Sequence, residues 1–162
     1  MNSLIVDAAR YLLFFNVAVV VVYWISCNRT TKFALGLELL FGGVLAFAIA
    51  ALASRVHYDT RPFVSRHIVP LIAHAADNGF PSDHALLASF LGFTILYRSR
   101  RLGVLLLVMA LFVGAARVAA HIHNPQDVVA SFAIAALSAA VVRGFGLRRR
   151  VSQRSVQWPT DI

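Results

Sequence analysis

Histidine stands beside phosphate-binding chemistry at two places in this chain. One is Phe80-Pro81-Ser82-Asp83-His84; the other runs from Ala116-Arg117 to His121-Ile122-His123-Asn124-Pro125-Gln126-Asp127. Pro81-Ser82 precedes an apolar run, so Ser82 is expected to cap a helix with Asp83 and His84 in its first turn. A helix start presents unpaired backbone N–H groups and partial positive charge, which suits a phosphate. His84 is placed there to give a proton to a leaving oxygen. The second run repeats the design, with Asn124 as cap, Pro125 as first helical residue and Asp127 as third. A carboxylate at that position points back toward His123, where it would fix the tautomer and support positive charge on the imidazole. His123 is then the candidate nucleophile, attacking phosphorus to form a phosphohistidine. Arg117, and Arg61 of an upstream Arg61-Pro62 pair, offer planar donor forks for the phosphoryl oxygens. In low dielectric such forks stabilise the charge spread over a phosphoryl-transfer transition state.

The elements that must position these groups are apolar. Of 162 residues, 59% are hydrophobic and 14% charged, and the mean hydropathy is +0.74. That balance excludes a soluble domain and indicates an integral membrane protein. Five apolar runs are expected to cross the bilayer: Tyr11 to Cys27, Phe33 to Ala53, His84 to Tyr97, Leu102 to Ala120 and Val128 to Val142. A crossing helix needs about 20 residues, so the third and fifth are short and would rely on little tilt, snorkelling arginines or local thinning of the bilayer. Between the second and third runs, Phe63 to Ala75 mixes apolar residues with Arg66, His67 and His74, the pattern of a segment lying along the membrane surface, broken at Pro70. The expected fold is therefore an all-α polytopic membrane bundle, with about five transmembrane helices and an interfacial helical segment. Residues 1–162 would form a single membrane domain, without room for a second. No cleaved signal peptide is read at the start. The lone Cys27 excludes a disulfide framework.

A net charge of +8 raises the question of nucleic acid, but the basic residues sit in clusters at the ends of apolar spans. Five crossings put Arg29, Lys32, Arg98, Arg100, Arg101 and the basic tail at 143–162 on one side. The other side holds Arg10, Arg55, Arg61, Arg66 and Arg117 against Asp7, Asp59, Asp77, Asp83 and Asp127. Positive residues collect on the cytoplasmic side, so the tail is expected in the cytoplasm and all six histidines on the outer face. The three arginine- and histidine-bearing segments thus meet on one membrane face.

These segments resemble the three signature motifs of the type 2 phosphatidic acid phosphatase superfamily, and Pro81-Ser82-Asp83-His84 is most similar to its bacterial undecaprenyl-pyrophosphate phosphatase branch. The family pattern is a lysine, six intervening residues and Arg-Pro, then Pro-Ser-Gly-His, then Ser-Arg, five residues, His, three residues, Asp. Arg61-Pro62, Pro81-Ser82, His84, Arg117, His123 and Asp127 match at full spacing, within residues 55 to 127. Three positions depart: Ser54 stands where the family has lysine, with Arg55 one residue late; Asp83 replaces glycine; Ala116 replaces serine. The resemblance implies His123 as nucleophile, His84 as acid and base, Asp127 as orienting carboxylate, and Arg61, Arg117, Ser82, Asp83 and Arg55 around the phosphate. It implies no metal and no other cofactor. It further implies an inner-membrane enzyme that removes the terminal phosphate of undecaprenyl pyrophosphate at its extracytoplasmic face. Two other readings use the same residues. One is a phosphatase of phosphatidylglycerophosphate, phosphatidate or lipid A; the other is a non-catalytic binder of lipid phosphate or a transporter subunit.

The remaining polar residues are read more plainly. His57, His67, His74 and His121 are expected in interfacial or packing roles, and Arg66 among lipid headgroups. Glu38, inside a span near its cytoplasmic end, is expected to pair helices or snorkel. Trp24 and Trp158 read as interface residues and the basic tail as an anchor for anionic lipid.

Overall fold

The computed structural model describes residues 2–154 as backbone and 3–146 with side chains. Trp158 and the side chains of Arg148, Arg149, Arg150 and Arg154 in the expected basic tail lie outside the described residues. The architecture is all-helical: α1 Asn2–Ser26, α2 Arg29–Val56, α3 Pro62–Ser65, α4 Asp83–Leu96, α5 Arg100–Ala119 and α6 Pro125–Arg154. Four of these are long and apolar enough to cross a membrane, with α4 as a shorter apolar fifth. Each expected apolar run is a helix, though α1 starts nine residues before Tyr11. Large apolar side chains such as Phe14, Phe41, Val44, Leu111, Phe112 and Val129 stand on the outside of the bundle. Water would not tolerate such a surface on this scale, whereas lipid does. The chain is a multi-pass membrane protein.

Helix α4 is the hub. It packs against α1, α2, α5 and α6. Nine of its residues are buried, from Ala85 to Ile95, as expected of a helix apolar on every face. At 14 residues it is about 21 Å long, short of the ~30 Å hydrocarbon core. Its first turn carries Asp83 and His84. Gly103 makes the return possible. A Cβ there would collide with the backbone of Leu96, so glycine lets α5 fold back tightly after the Tyr97–Ser99 turn.

The opposite end of the bundle is closed by charge. Glu38 on α2 accepts from Arg98 after α4 and from Arg143 on α6, the latter at 3.5 Å. The helix-pairing role expected of Glu38 is what the contacts show. Nearby, Trp24 donates its indole N–H to the Lys32 carbonyl at 2.9 Å, and Asn28 caps α2 by accepting the Thr31 N–H at 2.9 Å.

Residues 57–82 correct one expectation. The stretch Phe63 to Ala75 is helical only through Ser65. His67 then takes a left-handed backbone (φ 53°), and Pro70 lacks the N–H a continuing helix would need. The segment is held by tertiary bonds instead: Phe63 N–H to His121 O at 3.1 Å and Leu71 N–H to Ala120 O at 3.2 Å. Ile72 completes the attachment by packing with Ala9, Ala116, Ala120 and Ile122.

Candidate active site

The start of α4 and the start of α6 are bonded together. Ser131, one turn after Asp127 in α6, has its hydroxyl 2.9 Å from Ser82 O and 2.7 Å from Asp127 O. Ser82 is the residue before α4, as expected, but its Oγ makes no capping bond and is buried without a partner. Asp83 and His84 occupy the first turn. At α6, Asp127 accepts the Asn124 N–H through Oδ2 at 2.8 Å, one half of a capping box. The Asn124 side chain does not cap; its amide donates to Asp59 Oδ2 at 2.9 Å and Thr60 O at 3.1 Å.

His123 is buried at this junction. Its Nδ1 lies 2.9 Å from Gly79 O and 3.3 Å from Asp127 Oδ2. Both partners are acceptors, so the proton belongs on Nδ1 and Nε2 keeps its lone pair. The glycine at 79 is needed here. A Cβ would stand 3.2 Å from Asp59 O, 3.3 Å from Arg61 Cγ and 3.4 Å from Asp127 Oδ2. Asp127 is itself fully buried, and its Oδ1 has no partner.

The two arginines differ. Arg61 is committed: Nε donates to Asp77 Oδ1 at 2.7 Å, Nη1 to Ile122 O at 2.8 Å and Nη2 to Asn78 O at 3.2 Å. Its Nη1 also comes within 3.5 Å of His123 Nε2. Arg117 is buried with a single long contact, Nη1 to Ala9 O at 3.5 Å, and its Nε has no partner. A buried guanidinium left so free is costly unless an anion completes it.

These groups line a cavity of about 440 Å³, a size typical of small-molecule sites. Arg61, Asp83, His84, Arg117 and His123 all face it, whereas Asp127, which holds His123, and Ser82 are fully buried and are not among the lining residues. Arg55 does not. It is exposed, while its neighbour Ser54 lines the wall. Successive helical residues are turned by about 100°, so a basic residue one position late points elsewhere. His121, with φ 63°, is likewise not among the lining residues. Phe47, Ala50 and Ala51 of α2 carry the cavity wall down into the bundle. Below them Ala46, Leu86, Phe90 and Ala135 close it with apolar packing.

Three residues of the site were not expected there: Asn78; Asp77, which entered only the charge balance; and His74, expected in an interfacial or packing role. Asn78 ties the loop to the end of α2, donating to Ser54 O and His57 O at 2.9 and 3.0 Å and accepting from the N–H groups of Asp59 and Phe80, each at 3.0 Å. Asp77 holds Arg61, and that guanidinium keeps the Asp77 carboxyl below its usual range. His74 lines the cavity with its ring centroid 6.3 Å from that of His123. All three sit in an irregular segment, where no periodicity marks which side chains turn inward.

Comparison with known proteins decides the family. The model of the PAP2 superfamily matches residues 37–150, which contain all three motifs. The chain belongs to the PAP2 superfamily. Among its relatives, the bacitracin transport permease protein BcrC of Bacillus licheniformis is 35% identical over 147 residues, covering 88% of this chain and 70% of that protein. The undecaprenyl-diphosphatase BcrC of Bacillus subtilis is 30% identical over 138 residues, covering 83% and 69%. The fold matches the crystal structure of a transmembrane PAP2-type phosphatidylglycerolphosphate phosphatase from Bacillus subtilis, with a TM-score of 0.65 at 21% identity over 91% of this chain and 77% of that one. Within the matched region, Arg61, His84, Arg117 and His123 line one cavity together with Ser54.

Proposed function

We propose that this chain is a metal-independent phosphatase of undecaprenyl pyrophosphate, releasing inorganic phosphate and undecaprenyl phosphate. The observation that carries the reading is His123, held through Nδ1 by Gly79 O and Asp127 so that Nε2 keeps its lone pair beside Arg61, on a cavity where Arg117 Nε lacks a partner. The two BcrC relatives support the substrate, one by its name. Their higher identity, 35% and 30% against 21%, favours a lipid pyrophosphate over the phosphatidylglycerol phosphate named for the structural neighbour.

Nε2 attacks the terminal phosphorus in line with the bridging oxygen. The P–O bond to that oxygen breaks, and His84 protonates the departing lipid phosphate. Phosphorylated His123 is cationic, since Nδ1 keeps its proton, and the Asp127 carboxylate then faces a full positive charge. Arg117 and the outer edge of Arg61 hold the equatorial oxygens. Water, deprotonated by His84, attacks the phosphohistidine, and the N–P bond breaks to free phosphate and His123. Ser82 and Asp83 supply the start of α4, whose N–H groups face the anion.

The five membrane helices act as one catalytic domain. Clustering of Arg29, Lys32, Arg98, Arg100, Arg101 and Arg143 at the end opposite the cavity supports a cytoplasmic C-terminus and an extracytoplasmic site, in a bacterial inner membrane. A transport role is the rival reading, raised by the name of one relative. The apolar layer of Ala46, Leu86, Phe90 and Ala135 under the cavity disfavours a polar path through the bundle.

The test is phosphate release from undecaprenyl pyrophosphate in detergent with excess EDTA, alongside phosphatidylglycerophosphate and phosphatidate. Release is expected with the pyrophosphate preferred, unaffected by EDTA and abolished in a folded His123→Ala variant. Full activity in that variant would overturn the mechanism, and loss with EDTA the metal-independence.

A further inference from the structure

His74 has no task in this mechanism, yet its ring shares the cavity with His84, Arg117 and His123. Its Nδ1 sits 3.4 Å from Ala75 O, its own neighbour, which leaves the Nε2 edge without a partner. Charged and titratable groups surround it from every side: Asp77 on its own segment, Arg61 before α3, Asp83 and His84 on α4, Arg117 on α5, and His123 after α5. Burial first, then the charges of Arg61 and Arg117, hold the imidazole below its usual pKa. In the free protein near neutral pH the ring is therefore neutral, with Nε2 a poor neighbour for an anion.

A bound phosphate reverses that balance. It brings negative charge into the space that Arg61 and Arg117 now make positive, and so favours a proton on Nε2. Beyond the neutral N–H groups at the start of α4, the supply of charged donors is short. The Arg61 fork is spent largely on Asp77, Ile122 and Asn78, and the α2 wall offers only Ser54. A pyrophosphate headgroup brings more charge than Arg117 alone can match. We propose that His74 is a further cationic ligand of the bound phosphate, taking up a proton as the anion enters the cavity.

This rests on the cavity being the phosphate site proposed above, and the test separates the two. Full-length protein in detergent is compared with His74→Gln at pH 6 and pH 8, reading KM and kcat for undecaprenyl pyrophosphate and, independently, calorimetric binding of inorganic pyrophosphate. The variant is expected to raise KM and weaken pyrophosphate binding by about tenfold at pH 6, the effect of losing one charge-assisted bond. At pH 8 the difference should shrink to about twofold or less, because the wild-type ring is harder to protonate there. kcat should change little. Ser54→Lys in the His74→Gln background places an ammonium on the opposite wall, where the native hydroxyl bonds only to Ala51 O of its own helix, and should restore binding at both pH values. Equal binding by wild type and His74→Gln at pH 6 would overturn the proposal. So would a loss of the same size at both pH values that Ser54→Lys leaves in place. If wild type fails to hydrolyse the lipid but binds pyrophosphate through His74, the substrate assignment fails and the ligand role stands.

Discussion

Glu38 and Asp127 are both carboxylates inside the bundle, at opposite ends, and the protein treats them differently. Glu38 has an arginine for each oxygen, Arg98 on Oε2 and Arg143 on Oε1. Asp127 has one oxygen shared between the Asn124 N–H and His123, and the other bare. The first cluster is complete as it stands. The second leaves Asp127 Oδ1 and Arg117 Nε without partners, and in the proposed mechanism a cationic His123 and an anion at Arg117 would offset those open charges. A polar cluster that satisfies itself serves packing, whereas one that leaves buried groups open is poised for a ligand or a reaction.

The largest effect that would sharpen this contrast is at Asp127. Asp127→Asn keeps an acceptor for the Asn124 N–H, so the fold should survive with its melting temperature close to wild type. Gly79 O still accepts the Nδ1 proton, so the tautomer is held. What is lost is the negative charge facing phosphohistidine, and kcat should fall on the order of 10³-fold. Glu38→Gln should do the reverse. Breaking the cluster leaves two arginines uncompensated, costing about 2–3 kcal/mol in detergent, with kcat per folded molecule near wild type. A Glu38 variant that lost activity without losing stability would erase the distinction.

The two clusters also differ in how legible they were. The α6 site was readable because its logic is local: His123 and Asp127 are four residues apart, and Asn124-Pro125 marks the helix start between them. The same holds for Ser82-Asp83-His84 at the start of α4. The five helices were readable from apolar runs. Their ends were not, since α1 continues upstream through Asp7 and Arg10, polar residues that hydropathy counts against a span. Arg55, one position past the family lysine, was expected around the phosphate, but on a helix one position decides whether a side chain meets the cavity or the outside, and here Ser54 lines the wall while Arg55 is exposed. Asp77 and Asn78 were silent because their partners, Arg61 and the end of α2, lie 16 to 24 residues away across an irregular segment. Glu38 was read as a helix-pairing residue, but its two arginines could be named only from the fold.

Arginine substitution breaks the comparison a second way. Arg117→Lys keeps the charge and loses the fork, so kcat/KM should fall about 10²-fold. Vanadate, a stand-in for pentacoordinate phosphorus, should raise the wild-type melting temperature by binding the folded protein. That shift should persist in Glu38→Gln and disappear in Arg117→Ala. A vanadate shift surviving in Arg117→Ala would place the anion elsewhere. Gly79→Ala should come next in size, lowering kcat about tenfold, as the added methyl presses on the Arg61 and Asp127 side chains that flank His123.

The smallest effect concerns Asp59, which stands behind the open cluster as a support. Its carboxylate accepts from Asn124 Nδ2 at 2.9 Å and Gln126 Nε2 at 2.7 Å, tying the start of α6 to the loop after α2. Partial burial would raise its pKa, but the hydrogen bonds from Gln126 and Asn124 outweigh that and hold it below the usual carboxylate value. A carboxyl whose folded pKa is depressed adds stability above its unfolded pKa, and loses it as pH falls through the folded one. Asp59→Asn should therefore lower the melting temperature most at pH 6–7, and the gap to wild type should close toward pH 3. The effect on kcat should be several-fold only, since Asp127 still holds the Asn124 N–H and Gly79 still holds His123. A gap that stayed constant over that pH range would mean that Asp59 acts through packing rather than charge, and the support behind the open cluster would then be as self-contained as the ion cluster at the other end.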